Sequence, residues 1–162
     1  MMRRHLAALA FCLAWLPIAC AQPSIRSFDS GSLGRIEAEY RGKPFVVVLW
    51  SLDCAYCESS FAALVGARQA YGYEIVTVAT DRLVDGDNAS QIAKRLDAFG
   101  LRPNAWAFDA ATPPEQLRYA IDPKWYGELP RSYWFDGTGR RAARSGRITP
   151  EMIRGLFPAG PN

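Results

Sequence analysis

The apolar and polar residues of the chain alternate between short continuous apolar runs and stretches with helical spacing. The run Phe45–Trp50 is entirely apolar and rich in β-branched residues, which is typical of a central strand buried on both faces. Apolar residues at helical spacing follow over residues 55–70, and Gly72 ends that segment. Residues 73–80 are a second apolar run. Together they predict a strand–helix–strand unit with parallel strands.

The rest of the chain continues the alternation and then ends in a hairpin. Its predicted elements are a helix capped by Asn88 or Ser90 and ending at Gly100, a strand over 104–109, a helix opening at Pro113, strands over 132–136 and 140–145, and a final helix capped by Thr149. A tight turn at residues 137–139 joins the last two strands. This order predicts an α/β fold with a mixed central sheet flanked by helices, largely parallel with antiparallel edge strands.

The start of the chain has the three regions of a secretory signal peptide. Arg3 and Arg4 precede an uncharged apolar run over residues 6–18, and the small residues Ala19-Cys20-Ala21 follow. The apolar run is shorter than the roughly 20 residues that a membrane span needs. We therefore expect residues 1–21 to be a cleaved signal and the protein to be exported to the periplasm.

Lipidation of Cys20 is the alternative reading of the same segment. Bacterial lipoprotein signals usually carry leucine three residues before the lipidated cysteine, and Pro17 stands there. Simple cleavage is therefore favoured, and the membrane is a partner only if Cys20 is lipidated. After the signal, residues 22–35 are polar and predict a flexible leader, and residues 36–162 predict a single domain.

Composition and charge argue against a disordered chain and against a nucleic-acid-binding protein. Hydrophobic residues make up 49% of the 162-residue chain and aromatic residues 12%, enough for a packed core rather than a disordered chain. The formal charge is +3; without Arg3 and Arg4 the 19 basic residues become 17, against 16 acidic ones. A nearly neutral domain gives no electrostatic reason to expect nucleic-acid binding.

The cysteines point to exchange chemistry. Of the four cysteines, Cys12 and Cys20 belong to the predicted signal, so the mature domain keeps only Cys54 and Cys57. Exported domains of this size often carry long-range disulfides, and two cysteines three residues apart cannot supply one. A lone close pair in an oxidising compartment favours a redox role over a bracing one.

The pair Cys54-Ala55-Tyr56-Cys57 lies where a buried strand passes into a helix. A helix N-terminus offers unpaired N–H groups and about half a positive charge, which stabilise a thiolate. Cys54 is therefore predicted to attack a substrate disulfide and Cys57 to resolve the mixed disulfide. A zinc site needs about four ligands and the mature chain has no further cysteine and no histidine; an inert local disulfide would stabilise little.

These residues together resemble the thioredoxin superfamily, and within it the exported TlpA/ResA-like thioredoxins of the cytochrome c-maturation type. The resemblance covers roughly residues 42–157. Its segments are Gly42–Pro44, Trp50–Cys57, the helix–strand unit between residues 88 and 109, and Leu129–Gly139. It implies a thioredoxin-like fold with the extra helix–strand unit of the TlpA/peroxiredoxin-like branch, and thiol–disulfide oxidoreductase activity.

The resemblance also implies a substrate-binding surface. In that family the proline matching Pro130 is cis and faces the dithiol, and the residue before it, here Leu129, pairs its backbone with an extended substrate segment. The aromatic residues Tyr56, Trp125 and Tyr126 are candidates for an exposed apolar patch around the dithiol. We expect Leu129, Pro130 and Tyr56 to bind the substrate.

The chain departs from the family beside the cysteines. Asp53 stands where the family commonly has tryptophan, and Ser60 where many TlpA-like proteins have glutamate. A carboxylate next to the nucleophile opposes thiolate formation unless it points to solvent, so the role of Asp53 stays open. Glu58 lies in the first helical turn, where a carboxylate is stabilising in any case, and is assigned no catalytic role.

An arginine cluster follows the predicted hairpin turn. Its members are Arg140, Arg141, Arg144 and Arg147. We expect a solvated sheet edge whose charges discourage pairing with another strand.

The sequence thus predicts an exported thiol–disulfide oxidoreductase that exchanges its Cys54/Cys57 pair with protein thiols and disulfides of the cell envelope. A reductase supplied by an upstream thiol donor is favoured, and we expect a monomer with no bound cofactor. The dipeptide Ala55-Tyr56 tunes the reduction potential, about 1.4 kcal/mol for each 30 mV. It does not set the direction of catalysis, so an isomerase or oxidase stays open.

Two other function classes stay open as well. A metallochaperone could hold Cu(I) between the two soft thiolates, although copper chaperones of this fold normally add a distal histidine, which the mature chain lacks. The domain could also be a non-catalytic thioredoxin-like interaction module. A test for disulfide-reduction turnover separates that module from an enzyme.

Overall fold

The computed structural model describes residues 24–84 and 86–157; the predicted signal peptide and Cys20 lie outside them. The elements are β1 (Arg26–Phe28), α1 (Ser32–Glu39), β2 (Phe45–Trp50), α2 (Cys57–Tyr71), β3 (Glu74–Ala79), α3 (Gly86–Asp97), a 3₁₀ turn (Arg102–Asn104), β4 (Ala105–Phe108), α4 (Pro114–Ile121), β5 (Arg131–Phe135), β6 (Arg141–Ser145) and α5 (Pro150–Leu156). Within the described part of the chain, no helix is both long and apolar enough to cross a bilayer.

The six strands form one mixed sheet in the order β1-β4-β3-β2-β5-β6. The pairs β1–β4, β4–β3 and β3–β2 are parallel, whereas β2–β5 and β5–β6 are antiparallel. Helical crossovers join the parallel strands, and the tight turn after β5 returns the chain as an antiparallel edge. The predicted α/β architecture is therefore confirmed, with α3 and β4 as the extra helix–strand unit.

The core lies on both faces of the sheet. Side chains of β2 alternate between the faces, as a strand requires. Val46, Val48 and Trp50 pack with α2, α3 and α5, while Phe45 and its alternate neighbours pack with α1 and α4. Every residue of β2 is buried, which is why the strand reads as a continuous apolar run.

The predicted flexible leader, residues 22–35, contains folded structure instead. Phe28 of β1 is buried and pairs with β4, and Leu33 of α1 is buried in the core. The polar residues that resembled a loose leader shape the turn between these elements. The Asp29 carboxylate accepts a hydrogen bond from the Gly31 N–H, and the Ser32 hydroxyl accepts one from the Asp29 N–H. The domain therefore begins before residue 36.

Most helix ends agree with the sequence signals. Gly72 ends α2 in the left-handed conformation, at φ 64°, which glycine adopts at little cost. The Thr149 hydroxyl accepts a hydrogen bond from the Met152 N–H at 3.3 Å and caps α5. α3 begins at Gly86, earlier than the predicted caps.

Candidate active site

A disulfide joins Cys54 and Cys57 at the start of α2, with an S–S distance of 2.01 Å and a Cα–Cα distance of 5.5 Å. Cys57 is the first residue of α2, and Cys54 lies in the turn between β2 and the helix. The turn is formed by backbone hydrogen bonds from Cys54 N–H to the Ser51 carbonyl and from Cys57 N–H to the Cys54 carbonyl, each 3.2 Å. The pair thus occupies the helix N-terminus that the sequence predicts.

The two sulfur-bearing residues differ in exposure. Cys54 is half-buried, whereas Cys57 is only 1% exposed and belongs to the core beneath α2. A partner approaching from solvent therefore meets Cys54 first. This difference fits the predicted roles of Cys54 as attacking and Cys57 as resolving cysteine.

The turn before the disulfide is tied to the end of β3. The Leu52 N–H donates a hydrogen bond to the Asp81 carboxylate at 2.9 Å, and the Thr80 N–H donates to the Trp50 carbonyl at 2.8 Å. Because β2 and β3 are parallel, their carboxyl ends meet at one edge and hold this turn between them.

The two carboxylates beside the cysteines both face outward. The side chain of Asp53 is exposed. Glu58 is exposed as well and pairs with Arg95 of α3 at 2.7 Å. Neither carboxylate is buried against the disulfide, and Glu58 instead links α2 to α3.

The Leu129–Pro130 peptide bond is cis, as the family resemblance implies. Pro130 is buried and Leu129 is half-buried. Arg131, the next residue, pairs with Leu49 near the carboxyl end of β2. The cis bond therefore lies at the end of the sheet where the disulfide turn begins. Among the described residues neither the N–H nor the carbonyl of Leu129 has a hydrogen-bond partner.

The three aromatic residues predicted to form an exposed patch differ in exposure. Tyr56, between the two cysteines, is 51% exposed, and Tyr126 is almost fully exposed. Trp125 is buried, contrary to expectation, because its indole packs beneath α4 and donates a hydrogen bond to the Glu128 carbonyl at 2.9 Å. Trp125 thus supports the loop that leads to Pro130 and is not part of the exposed patch.

Ser60 links the active-site helix to the segment after β6. Its hydroxyl donates to the Tyr56 carbonyl at 2.8 Å and accepts from the Ile148 N–H at 3.0 Å. Both Ser60 and Ile148 are buried. The sequence marks Ser60 only as the position of a missing family glutamate, and no local signal pairs it with a residue 88 positions away.

Replacing Ser60 with alanine is expected to lower the free energy of unfolding by about 1–3 kcal/mol, because the buried Ile148 N–H loses its acceptor. The matched control is Ser59→Ala: the Ser59 hydroxyl donates to the same Tyr56 carbonyl but is exposed, so its loss should change stability by less than about 0.5 kcal/mol. Urea unfolding of both variants measures the difference. Equal losses would contradict a linking role for Ser60.

All four arginines of the cluster are exposed and β6 is an edge strand of the sheet, as expected, but their contacts differ. Arg140 lies 3.6 Å from Asp136, and Arg141 stacks on the Tyr133 ring at 4.1 Å and donates to the Ile121 carbonyl. Arg147 lies beyond β6 and places its guanidinium carbon 4.7 Å from the centre of the Tyr56 ring. The contacts differ because Arg140 precedes β6, Arg147 follows it, and Arg141 and Arg144 are three residues apart within the strand and so face opposite sides of the sheet.

A charged network anchors the chain on both sides of the cis bond. The Arg131 guanidinium donates to the Asp122 carboxylate at 2.7 Å, and the Tyr133 hydroxyl donates to the same carboxylate at 3.2 Å. Burial raises the pKa of the Asp122 carboxyl. The hydrogen bonds from the Lys124 N–H, Arg131 and Tyr133 outweigh burial, so the pKa lies below its usual range.

The lowered pKa of Asp122 predicts a pH-dependent contribution to stability. An aspartate whose pKa is lower in the folded than in the unfolded chain stabilises the fold fully above its unfolded value of about 3.9, and this is lost as the pH falls through the folded value. Asp122→Asn should lower the unfolding free energy by about 1–3 kcal/mol at neutral pH. Its difference from the wild type should shrink as the pH falls below about 4.

Urea titrations at a series of pH values measure this difference. The control is Glu115→Gln, which removes an exposed carboxylate 3.6 Å from Arg118 and should cost less than about 1 kcal/mol. A stability difference between wild type and Asp122→Asn that does not change with pH would contradict the proposed charge contribution.

No protein-family model matches the sequence, and no curated protein sequence matches it significantly. Solved structures do match. A secreted Mycobacterium tuberculosis disulfide oxidoreductase, described as homologous to E. coli DsbE, has a TM-score of 0.54 and 15% identity over 74% of this chain and 84% of its own. The thioredoxin domain of a Bacteroides vulgatus thiol-disulfide oxidoreductase has a TM-score of 0.55 and 16% identity, over 74% and 83%. A Corynebacterium diphtheriae DsbF homologue has a TM-score of 0.57 and 20% identity, over 74% and 73%.

Structural similarity at these low sequence identities establishes the fold alone. The chain has a thioredoxin-like fold, in which a CxxC disulfide opens the helix that follows the central strand. In architecture it resembles the DsbE- and DsbF-like proteins named above. Within the described residues no group of three or more His, Cys, Asp or Glu side chains could hold a metal ion.

Proposed function

We propose that the protein is a thiol–disulfide oxidoreductase that exchanges its Cys54/Cys57 pair with protein substrates. The observation that carries the proposal is the arrangement of the disulfide. Cys54 is half-buried in the turn before α2, and its partner Cys57, the first residue of the helix, is buried. A bond intended only to brace the domain would have no need of a reachable sulfur at a helix N-terminus.

In the reducing direction, the Cys54 thiolate attacks one sulfur of a substrate disulfide. The substrate S–S bond breaks, a mixed disulfide forms, and the leaving substrate thiolate takes a proton from solvent. The Cys57 thiolate then attacks the Cys54 sulfur, which releases the second substrate thiolate and restores the Cys54–Cys57 disulfide. Two electrons pass to the substrate, and an upstream dithiol protein must return them.

The start of α2 favours the first step. The N–H groups of the first helical turn lack helical partners, and their dipoles favour an anion at this end. Cys54 lies two residues before Tyr56, the N-cap of α2, and its sulfur is bonded to that of Cys57, the first helical residue. This position places its thiolate at the positive end of the helix, which stabilises the thiolate relative to the thiol. A lower thiol pKa increases the fraction of attacking thiolate at neutral pH.

The substrate is proposed to lie along Leu129 and across Tyr56. The backbone N–H and carbonyl of Leu129 have no partner in the described structure, so an extended segment could pair with them as an added strand. Pro130 is buried, and it holds the Leu129 backbone at the carboxyl end of β2, where the disulfide turn begins. The half-exposed ring of Tyr56, which lies between the two cysteines in the sequence, offers apolar contact to the substrate.

We further propose that the protein is exported and works as a reductase in the cell envelope. The signal-like pattern of residues 1–21 supports export. One structural neighbour is described as a secreted disulfide oxidoreductase. A soluble dithiol enzyme that meets disulfide-rich exported proteins needs a separate thiol donor, because an oxidising compartment supplies no reducing buffer.

Turnover of a disulfide substrate tests the proposal. The reduced protein, supplied with a thiol donor, is expected to reduce insulin disulfides many times per molecule, and its equilibrium with glutathione is expected to give a strongly reducing potential. A potential at the oxidising end would change the direction to oxidase or isomerase. No turnover in either direction would overturn the enzyme assignment and leave an interaction module.

A further inference from the structure

No carboxylate of the described residues lies within ion-pair distance of Arg147. Most arginines of the described residues lie within 4.0 Å of a carboxylate; those that do not are Arg41, Arg82, Arg144 and Arg147. Only Arg147 of these lies against the disulfide segment, since its guanidinium stacks on Tyr56 at 4.7 Å. An exposed cation thus stands beside the candidate active site without a counterion.

The backbone on both sides of Arg147 is held by the site itself. The Gly146 N–H donates to the Pro130 carbonyl at 2.9 Å, and the Ile148 N–H donates to the buried Ser60 hydroxyl at 3.0 Å. Gly146 has φ +88°, a conformation that other residues rarely adopt. Arg147 is therefore presented between the cis-proline segment and α2, the two elements that a bound substrate would contact.

The carboxylates near the site do not compensate this charge. Glu58 pairs with Arg95 at 2.7 Å, and Glu128 lies 3.5 Å from Arg131. Asp53 is exposed and lies within 4.0 Å of no Lys or Arg nitrogen in the described structure, so it does not pair with Arg147. The cation that contacts the Tyr56 ring therefore has no carboxylate within 4.0 Å among the described residues.

We propose that Arg147 is a specificity-determining residue that favours protein substrates with an acidic residue next to the reactive cysteine. The inference rests on the proposed function and adds the substrate class. A substrate disulfide that reaches Cys54 brings its flanking residue over Tyr56 and near the guanidinium. A carboxylate there gains an ion pair that is partly shielded from water in the complex, whereas a lysine is repelled.

Three peptides that differ at one position test the proposal. Each carries one intramolecular disulfide, and the residue following the attacked cysteine is Glu, Gln or Lys. Second-order rate constants for reduction by the wild-type reduced protein are measured by stopped flow at low and high salt. We expect the Glu peptide to react about three to ten times faster than the Gln peptide at low salt, the Lys peptide to react most slowly, and the differences to shrink at high salt.

Two variants locate the preference. Arg147→Gln should bring the Glu-to-Gln rate ratio close to one. Arg144→Gln is the matched control, because Arg144 is also exposed and lacks a carboxylate, but its guanidinium donates to the Ala143 carbonyl rather than stacking on Tyr56. It should keep the wild-type ratio.

The outcomes separate the inference from the proposed function. If the wild type reduces none of the three peptides, the proposed function fails. If it reduces all three equally, the exchange activity stands and the specificity inference is overturned. If Arg147→Gln slows all three by the same factor, Arg147 acts on the cysteines and not on the substrate, which also overturns the inference.

Discussion

Replacing Cys54 with serine is expected to reduce disulfide exchange to the uncatalysed background, and replacing Cys57 with serine to trap the substrate covalently. Cys54 is the more exposed of the two cysteines, and it is the proposed attacking residue, so without it no mixed disulfide should form. In Cys57→Ser the first attack still occurs. The buried serine hydroxyl is too weak a nucleophile to resolve the product, because exchange requires a thiolate.

Intact-mass measurement after incubation with a peptide carrying one internal disulfide distinguishes the two variants. Cys57→Ser should give an adduct whose mass is the sum of protein and peptide, and dithiothreitol should release it. Cys54→Ser should give no adduct, because Cys57 is 1% exposed. An adduct on Cys54→Ser would reverse the assigned roles, and none on either variant would remove the support for exchange.

Replacing Phe61 with alanine is expected to lower the free energy of unfolding by about 3–5 kcal/mol. Phe61 is 0% exposed, and its ring meets Trp50 edge to face at 5.2 Å and Phe99 at 5.5 Å. It joins the end of β2, the body of α2 and the segment after α3. Truncation would leave a cavity among rings that cannot close around it, since each is held by a different element.

Val65→Ala is the matched control for Phe61→Ala. Val65 lies one turn further along α2 and is 39% exposed, so its truncation should cost less than about 1 kcal/mol. Chemical unfolding of both variants gives the two free energies. A loss below about 1 kcal/mol for Phe61→Ala would mean that the core beneath the disulfide is not packed as the structure shows.

Several features of the fold and site could be predicted from residues that lie close together in the sequence. The strand β2 can be predicted from the sequence because burial on both faces requires a continuous apolar run. All six of its residues are buried. The redox role of the CxxC pair can be predicted because its spacing and its place at a strand–helix boundary are features of neighbouring residues. The prediction that Cys54 and Cys57 can close a disulfide is confirmed.

Elements with weak local signals were missed. β1 has only three residues, too few to show an alternation of polar and apolar positions. α1 follows a turn of Asp, Ser and Gly residues that resembles a loose segment, although hydrogen bonds order that turn. Both elements depend on burial against the sheet, which becomes visible only when β4 and α4 are in place.

The amino-acid sequence by itself determined the kinds and order of the elements from β2 onward and the chemistry of the two sulfurs, because turn residues, periodicity and cysteine spacing act over a few neighbouring positions. Only the tertiary structure decided what surrounds those sulfurs: the bond from Ile148 to Ser60, the stacking of Arg147 on Tyr56, and the anchoring of Arg131 by Asp122. Most of these contacts join residues far apart in the chain, and their geometry follows from how crossover helices and strand register bring distant segments to one sheet edge. No pattern of neighbouring residues in the sequence shows which distant residues will meet.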